Sequence, residues 1–401
     1  MPGRTARHDT SRTAGGSGRR LLAGLGAGAA LAGMPLVSEM RVRRAAQPLT
    51  EAWRTRAVEP RTSMQVGFSF RPLQAEALDL DPPQTLRRLL EHPFEVIRLA
   101  AYWNRIEMAP ERFDFSDLDW QFEAAQRAGK RIILCVGAVK AFGYPEFFVP
   151  RHHLPEPLPE RTRIRAPAHG PLLRAAVEYL HRVVDRYRSS PNLMAWQVEH
   201  ESVDPLGLEH SWRLDRQFVV AEIDAVRCAD ASRPVVLNGF LPASVPVRLT
   251  QWLQSRDQGD SIAAAFDLAD VVGVDFYPRH ALASLGPLTL YLDGTRTPLH
   301  AWPLRRVFAA ARARGRPIMI TEGQAEPWEA VTTPPNPRAR AMYSCRPEDL
   351  IDTYSTCLRV ATQSGINLQA YLLWGAEYWV ARARQGDRSY LQAVARILET
   401  T

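Results

Sequence analysis

The chain has 401 residues, 46% of them hydrophobic and 23% charged, the proportions of a folded globular protein long enough for one large barrel or two smaller domains. Its formal charge of +7 sits entirely in residues 1–61, which hold eleven arginines against four acidic residues, and the rest of the chain is neutral on balance. That distribution excludes an extended phosphate-binding surface, and with it nucleic acid as a partner.

The first element is a leader. Arg19 and Arg20 precede an apolar, small-residue run over 21–37, the order of charged and hydrophobic regions in an export signal, and the arginine pair resembles the twin-arginine variety. Arg41, Arg43 and Arg44 follow with no clean small-x-small site between. An uncleaved membrane tether is therefore the alternative, although about 17 residues is short for a full span. Residues 1–62 are expected to be leader and linker, with an exported domain (periplasmic, cell-surface or extracellular) over 63–401.

From residue 64 onward, short apolar runs alternate with amphipathic ones. Strands are predicted over 66–70, 96–101, 131–137, 193–198, 234–238, 271–276, 316–323 and 368–374. Helices are predicted around 85–91, 116–128, 172–187, 212–229, 262–268, 304–314, 346–364 and 391–398, with Ser116 as an N-cap and Gly129 closing its helix. Residues 141–170 and 278–301 are expected to be long loops, the kind that carry function in a compact domain. Eight strands alternating with helices predict α/β architecture of one particular sort, a single closed (β/α)8 TIM barrel. No GxGxxG follows the first strand, so a dinucleotide fold is not expected. Cys135, Cys228, Cys345 and Cys357 have neither CxxC pairing nor metal-ligand spacing with histidine, so no metal site is expected, and a Cys345–Cys357 bridge is left open.

In such a barrel the residues at the strands' C-terminal ends converge on one pocket. Glu199, His200 and Glu201 end the fourth strand, and Glu322 ends the seventh. Arg98, Trp103 and Asn104 lie at or just after the second strand, with Asn238 on the fifth, Tyr277 after the sixth and Trp374 on the eighth. Carboxylates, amides, aromatic rings and a buried-type arginine suit a sugar, which needs apolar faces to stack on and forked donors for its hydroxyls. Two carboxyl groups across a glycosidic bond can break it. Strand alternation points residues 199 and 201 the same way, so spacing does not choose between those two glutamates. His152, His153, Glu209 and His210 fall in long loops at the same mouth, and Glu326 and Glu377 are further carboxylates nearby.

These segments resemble the clan A glycoside hydrolases, particularly β-galactosidase and cellulase-type members. The resemblance rests on WQVEHE at 196–201, ITEG at 320–323, VVGVDFYP at 271–278 and the stretch 100–134, and spans roughly 65–398. It implies a retaining hydrolase of β-linked oligo- or polysaccharides, needing no cofactor. Glu201 would be the acid/base and Glu322 the nucleophile, held ionised by Arg98 and Tyr277, with Trp374 as a sugar platform. His200 stands where that clan carries asparagine. Inverting hydrolysis on the same barrel, or a non-catalytic carbohydrate-binding barrel, are the alternatives.

Overall fold

A computed structural model of the protein describes residues 38–44, 46–204, 210–297, 300–331 and 340–400. The expected leader falls almost wholly outside these residues. Eight parallel strands close into a barrel in sequence order: β1 (Gln65–Ser69), β2 (Val96–Ala100), β3 (Arg131–Cys135), β4 (Leu193–Gln197), β5 (Val235–Pro242), β6 (Val271–Tyr277), β7 (Ile318–Gln324) and β8 (Ala370–Trp374). Each strand is followed by a long outer helix: α1 (Pro82–Leu90), α2 (Ser116–Arg127), α3 (Gly170–Tyr187), α4 (Arg216–Ala229), α5 (Ser261–Leu268), α6 (Trp302–Arg314), α7 (Pro347–Gln363) and α8 (Ser389–Glu399), with further helices between some of them. The (β/α)8 expectation holds throughout.

The strands are buried on both faces, which is why they read as continuous apolar runs rather than alternating ones. Their outward side chains join the helices in the main core. Their inward side chains form a separate plug of Val96, Ile133, Ala195, Val236, Val271, Met319, Ala370 and Leu372. On β1 the matching position is Gly67, because a β-carbon there would lie 2.1 Å from the Val96 carbonyl oxygen. One strand period above this floor the barrel turns polar, with Ser69, Arg98, Gln197, Asn238 and Thr321 all buried. A floor of aliphatics beneath a layer of hydrogen-bonding groups is what holds a reactive pocket at the top of the barrel.

Several local readings differ from the sequence expectation. Residues 279–293, expected to be loop, form a hairpin, Arg279–Leu285 against Leu288–Asp293. Helices at Val245–Ser255 and Ala376–Arg384 were not foreseen. Ser116 is the first residue of α2 rather than its cap, and its N–H is accepted by the Asp114 carboxylate at 2.9 Å. The stretch expected to be linker packs onto the barrel. Met40–Arg44 pairs with Leu288–Asp293, and the buried Glu39 carboxylate accepts from Ser244 Oγ at 2.7 Å. All four cysteines are free. No described helix is long and apolar enough to cross a membrane.

Candidate active site

Glu322 sits where β7 breaks its register. Val274 pairs with Ile320 but Asp275 pairs with Glu322, and on the other side Tyr371 pairs with Ile320 while Leu373 pairs with Gly323. The extra residue is a bulge, a device that re-aims a side chain at the rim of a barrel. Gly323 then lets the chain pass Tyr371, whose hydroxyl a β-carbon would meet at 2.1 Å.

Two donors grip the Glu322 carboxylate. Arg98 Nη2 donates to Oε1 at 2.9 Å, and the Tyr277 hydroxyl donates to Oε2. Arg98 is itself fixed by donation to the Thr321 carbonyl at 2.8 Å and by the Phe142 ring, 4.0 Å from its guanidinium carbon. Arg98 and Tyr277 are thus both brought onto the Glu322 carboxylate.

Glu199 and Glu201 part company. Both have left-handed backbone, at φ 58° and 44°, which costs a side-chain-bearing residue about 1–2 kcal/mol. The turn ends the strand alternation, so the two carboxylates separate. Glu199 accepts from the backbone N–H of Val139 at 2.8 Å and of Lys140 at 2.5 Å, and pairs with buried Glu222 behind the barrel wall. Gly137 permits that approach, since a β-carbon there would stand 2.3 Å from the Glu199 Cα. Glu201 turns into the pocket beside Asp275, and Lys140 Nζ holds its carbonyl at 3.0 Å.

The two pocket glutamates differ in electrostatics. Burial raises Glu201 well above the usual carboxyl range, and the negative charges of Asp275, Asp204 and Glu322 add to it. Burial also raises Glu322, but the Arg98 charge and the hydrogen bonds from Tyr277 and Arg98 work against that. Of the two, Glu201 is pushed further toward holding a proton, and Glu322 has the partners that favour its anion. Asp275 was not foreseen. Burial and the Glu322 charge raise it well above its ordinary value, and it lies within hydrogen-bonding reach of Glu201, an arrangement two carboxyls adopt by sharing a proton. Its signal in the sequence is a lone acid inside the apolar run of β6.

His200 is held as a neutral donor. Its Nδ1 faces Asn238 Nδ2 at 2.9 Å and Arg98 Nη2 at 3.4 Å, both of which can only donate, so Nδ1 accepts and the hydrogen sits on Nε2. Burial and the charges of Arg98 and Lys140 keep its pKa well below 6.5. A neutral N–H donor is the property that an asparagine in this place would offer.

Some expected sugar contacts are otherwise engaged. Trp103 is fully buried, stacked on Tyr179 at 5.3 Å, with its indole N–H given to Glu107 at 2.7 Å. It is a packing residue with no free face for a sugar, because Tyr179 and His153 stack on its ring. Asn238 donates to His200 and Asp275 and accepts from Gln197 Nε2 and the Glu201 N–H, which uses its full capacity on positioning. Asn104 is exposed, and no described contact ties it to either carboxylate. Trp374 is half-buried with Arg71 on one face, 4.2 Å from the ring centroid. Glu326 and Glu377 both grip Arg71. His210 stacks on Trp212 at 3.8 Å, and Glu209 lies outside the described residues.

Two groups in the pocket have metal-like spacing. Glu146, His200 and Glu201 bring one ligand atom each within 4.8 Å of one another, and so do His200, Asp275 and Glu322. In the second group the Arg98 guanidinium already supplies the positive charge. Glu146, delivered by the loop after β3, is the other pocket carboxylate that no sequence pattern placed.

A family model described as β-galactosidase, of glycoside hydrolase family 42, matches residues 81–218, the stretch from α1 to the start of α4. Among solved structures, the chain is similar to a GH5_18 protein from Streptomyces cattleya in complex with GlcNAc. The two share 14% identity at TM-score 0.54, over 86% of this chain and 82% of that one. A variant of the same protein in complex with Manβ1-4GlcNAc gives 14% identity and TM-score 0.54 over 84% and 80%. Xylanase 10B from Thermotoga maritima aligns at 13% identity and TM-score 0.49, over 84% of this chain and 95% of that one. No curated protein matches. The resemblance to (β/α)8 glycoside hydrolases carried by the sequence motifs is thus met in the barrel and in the family match.

Proposed function

We propose that the chain is a retaining glycoside hydrolase acting on β-linked oligo- or polysaccharides by double displacement. The observation that carries this is the asymmetry of the two pocket glutamates. Glu322 is held by Arg98 and Tyr277, while Glu201 sits among other carboxyls that keep a proton on it. In the first step Glu322 attacks the anomeric carbon as Glu201 gives its proton to the departing oxygen. In the second, Glu201 takes a proton from water, which displaces Glu322. His200 Nε2–H is the donor available to a sugar hydroxyl beside Glu201, and the half-buried Trp374 is the ring on which a sugar would stack. The β-galactosidase family match and the sugar-bound relatives support a carbohydrate substrate.

The test is hydrolysis of a panel of aryl β-glycosides and β-glycans by the wild type and Glu322→Gln. Turnover should fall by more than about a thousand-fold in the variant, with the anomeric configuration of the wild-type product retained in NMR. A product of inverted configuration would move the assignment to the single-displacement mechanism. No turnover on any substrate, with sugar binding preserved, would leave a carbohydrate-binding barrel.

We also propose that the Arg19-Arg20 leader directs export, with membrane tethering as the outcome if it is not cleaved. Cell fractionation of the Arg19→Lys, Arg20→Lys double variant checks this, since retention in the cytoplasm is the expected result.

A further inference from the structure

Beside the pocket, three side chains converge in a place the reaction does not use. Glu107 opens the short strand Glu107–Ala109 and is buried, and His152 and His153 approach it from the loop after β3. His152 Nε2 lies 3.1 Å from Glu107 Oε1, and His153 Nε2 lies 3.2 Å from the same oxygen and 3.1 Å from Oε2. The imidazole centroids are 4.3 Å apart, and the three groups bring one ligand atom each within 4.8 Å of one another. We propose that Glu107, His152 and His153 form a binding site for a divalent transition-metal ion of the zinc type, with a further position open to water.

The spacing suits such an ion. Tetrahedral zinc with bonds of about 2.0–2.2 Å to nitrogen and oxygen sets its ligand atoms roughly 3.3 Å apart. The nitrogen–oxygen separations here are already close to that. Two imidazoles and one carboxylate form a donor set that zinc accepts, with one place left over.

The surroundings fix the carboxylate as outer groups do around a metal. Trp103 Nε1 donates to Glu107 Oε2 at 2.7 Å, the Glu111 N–H donates to Oε1 at 3.2 Å, and the Trp103 ring stacks on His153 at 4.9 Å. The histidine side chains are 21% and 24% exposed, so an ion in solution can reach them. Both imidazoles present Nε2 toward the Glu107 carboxylate, so an ion placed between them would meet one nitrogen from each ring.

The ion would tie the loop after β3 to the segment after β2. That same loop stacks Phe148 on Tyr102 at 4.2 Å and delivers Phe142 and Glu146 to the pocket.

The test is calorimetric titration of the full chain with zinc chloride after dialysis against a chelator, wild type beside the His152→Ala, His153→Ala double variant. One zinc per wild-type chain is expected, with affinity at least about tenfold weaker in the variant. Cobalt(II) in place of zinc should give the visible bands of a four-coordinate site in the wild type alone. Equal uptake by both proteins would overturn the proposal. So would a wild type that takes up no stoichiometric zinc or cobalt, a result that holds even if the variant does not fold. Neither readout depends on sugar hydrolysis.

Discussion

Two buried arginines at the top of the barrel hold glutamates, and they do opposite things. Arg71 donates from Nε and Nη2 to Glu377 and from Nη1 and Nη2 to Glu326, and its own N–H reaches Glu377 at 2.6 Å. The bonds form a closed set, and all three side chains are almost wholly buried. Arg98 places one nitrogen on Glu322 and another on the Thr321 carbonyl, and the second Glu322 oxygen has only the Tyr277 hydroxyl. That carboxylate has fewer donors than Glu377, and its charge is felt at Glu201. A saturated ion cluster is scaffold, whereas one held from behind and left open in front can react.

Substitutions should separate the two clusters. Arg71→Met strands two buried carboxylates and should destabilise the fold by about 3–5 kcal/mol, read from urea unfolding. If stability holds and only activity falls, Arg71 belongs with the reacting groups. Arg98→Met removes the positive charge that favours the Glu322 anion and should cut kcat by roughly 10²–10³. Steady-state rates measured on a substrate that the wild type hydrolyses check this, and a change in KM alone would contradict it.

The smallest effect concerns pH. Glu201 must carry a proton to act as the acid, so activity fails as pH rises through the pKa of the Glu201–Asp275 pair. The charge of Asp275 helps to raise that value. Asp275→Asn should accordingly move the alkaline limb of kcat/KM to lower pH, by roughly one unit or less. An unmoved limb would mean that Asp275 carries no charge in the working enzyme.

All eight barrel strands could be read in advance because burial on both faces leaves an apolar run of strand length, with a polar or aromatic residue closing it. The hairpin over 279–293 was legible in principle, since apolar residues alternate on either side of Gly286-Pro287. The choice between Glu199 and Glu201 was not. It depends on left-handed backbone at two glutamates, a conformation no local propensity favours and which the packing around Gly137 and Lys140 enforces. Trp103 was misplaced for a related reason. An aromatic residue after a barrel strand reads as pocket lining, but here it lies in the core with Tyr179 and His153 stacked on its ring. Glu146 reaches the pocket from a long loop whose path no periodicity encodes.

The strand Met40–Arg44 has a consequence for how the molecule behaves in company. It is the outer strand of a three-stranded sheet, and its sequence puts Arg41, Arg43 and Arg44 along the open edge. Lined-up positive charges repel a second copy that would otherwise add itself by backbone pairing. A shortened chain beginning at residue 49 would lose that guard and uncover Leu288–Asp293, a run of alternating leucines with its hydrogen-bonding edge bare. The few residues ahead of the barrel therefore cover a strand edge, and shortening the chain past them would leave that edge without its backbone partner.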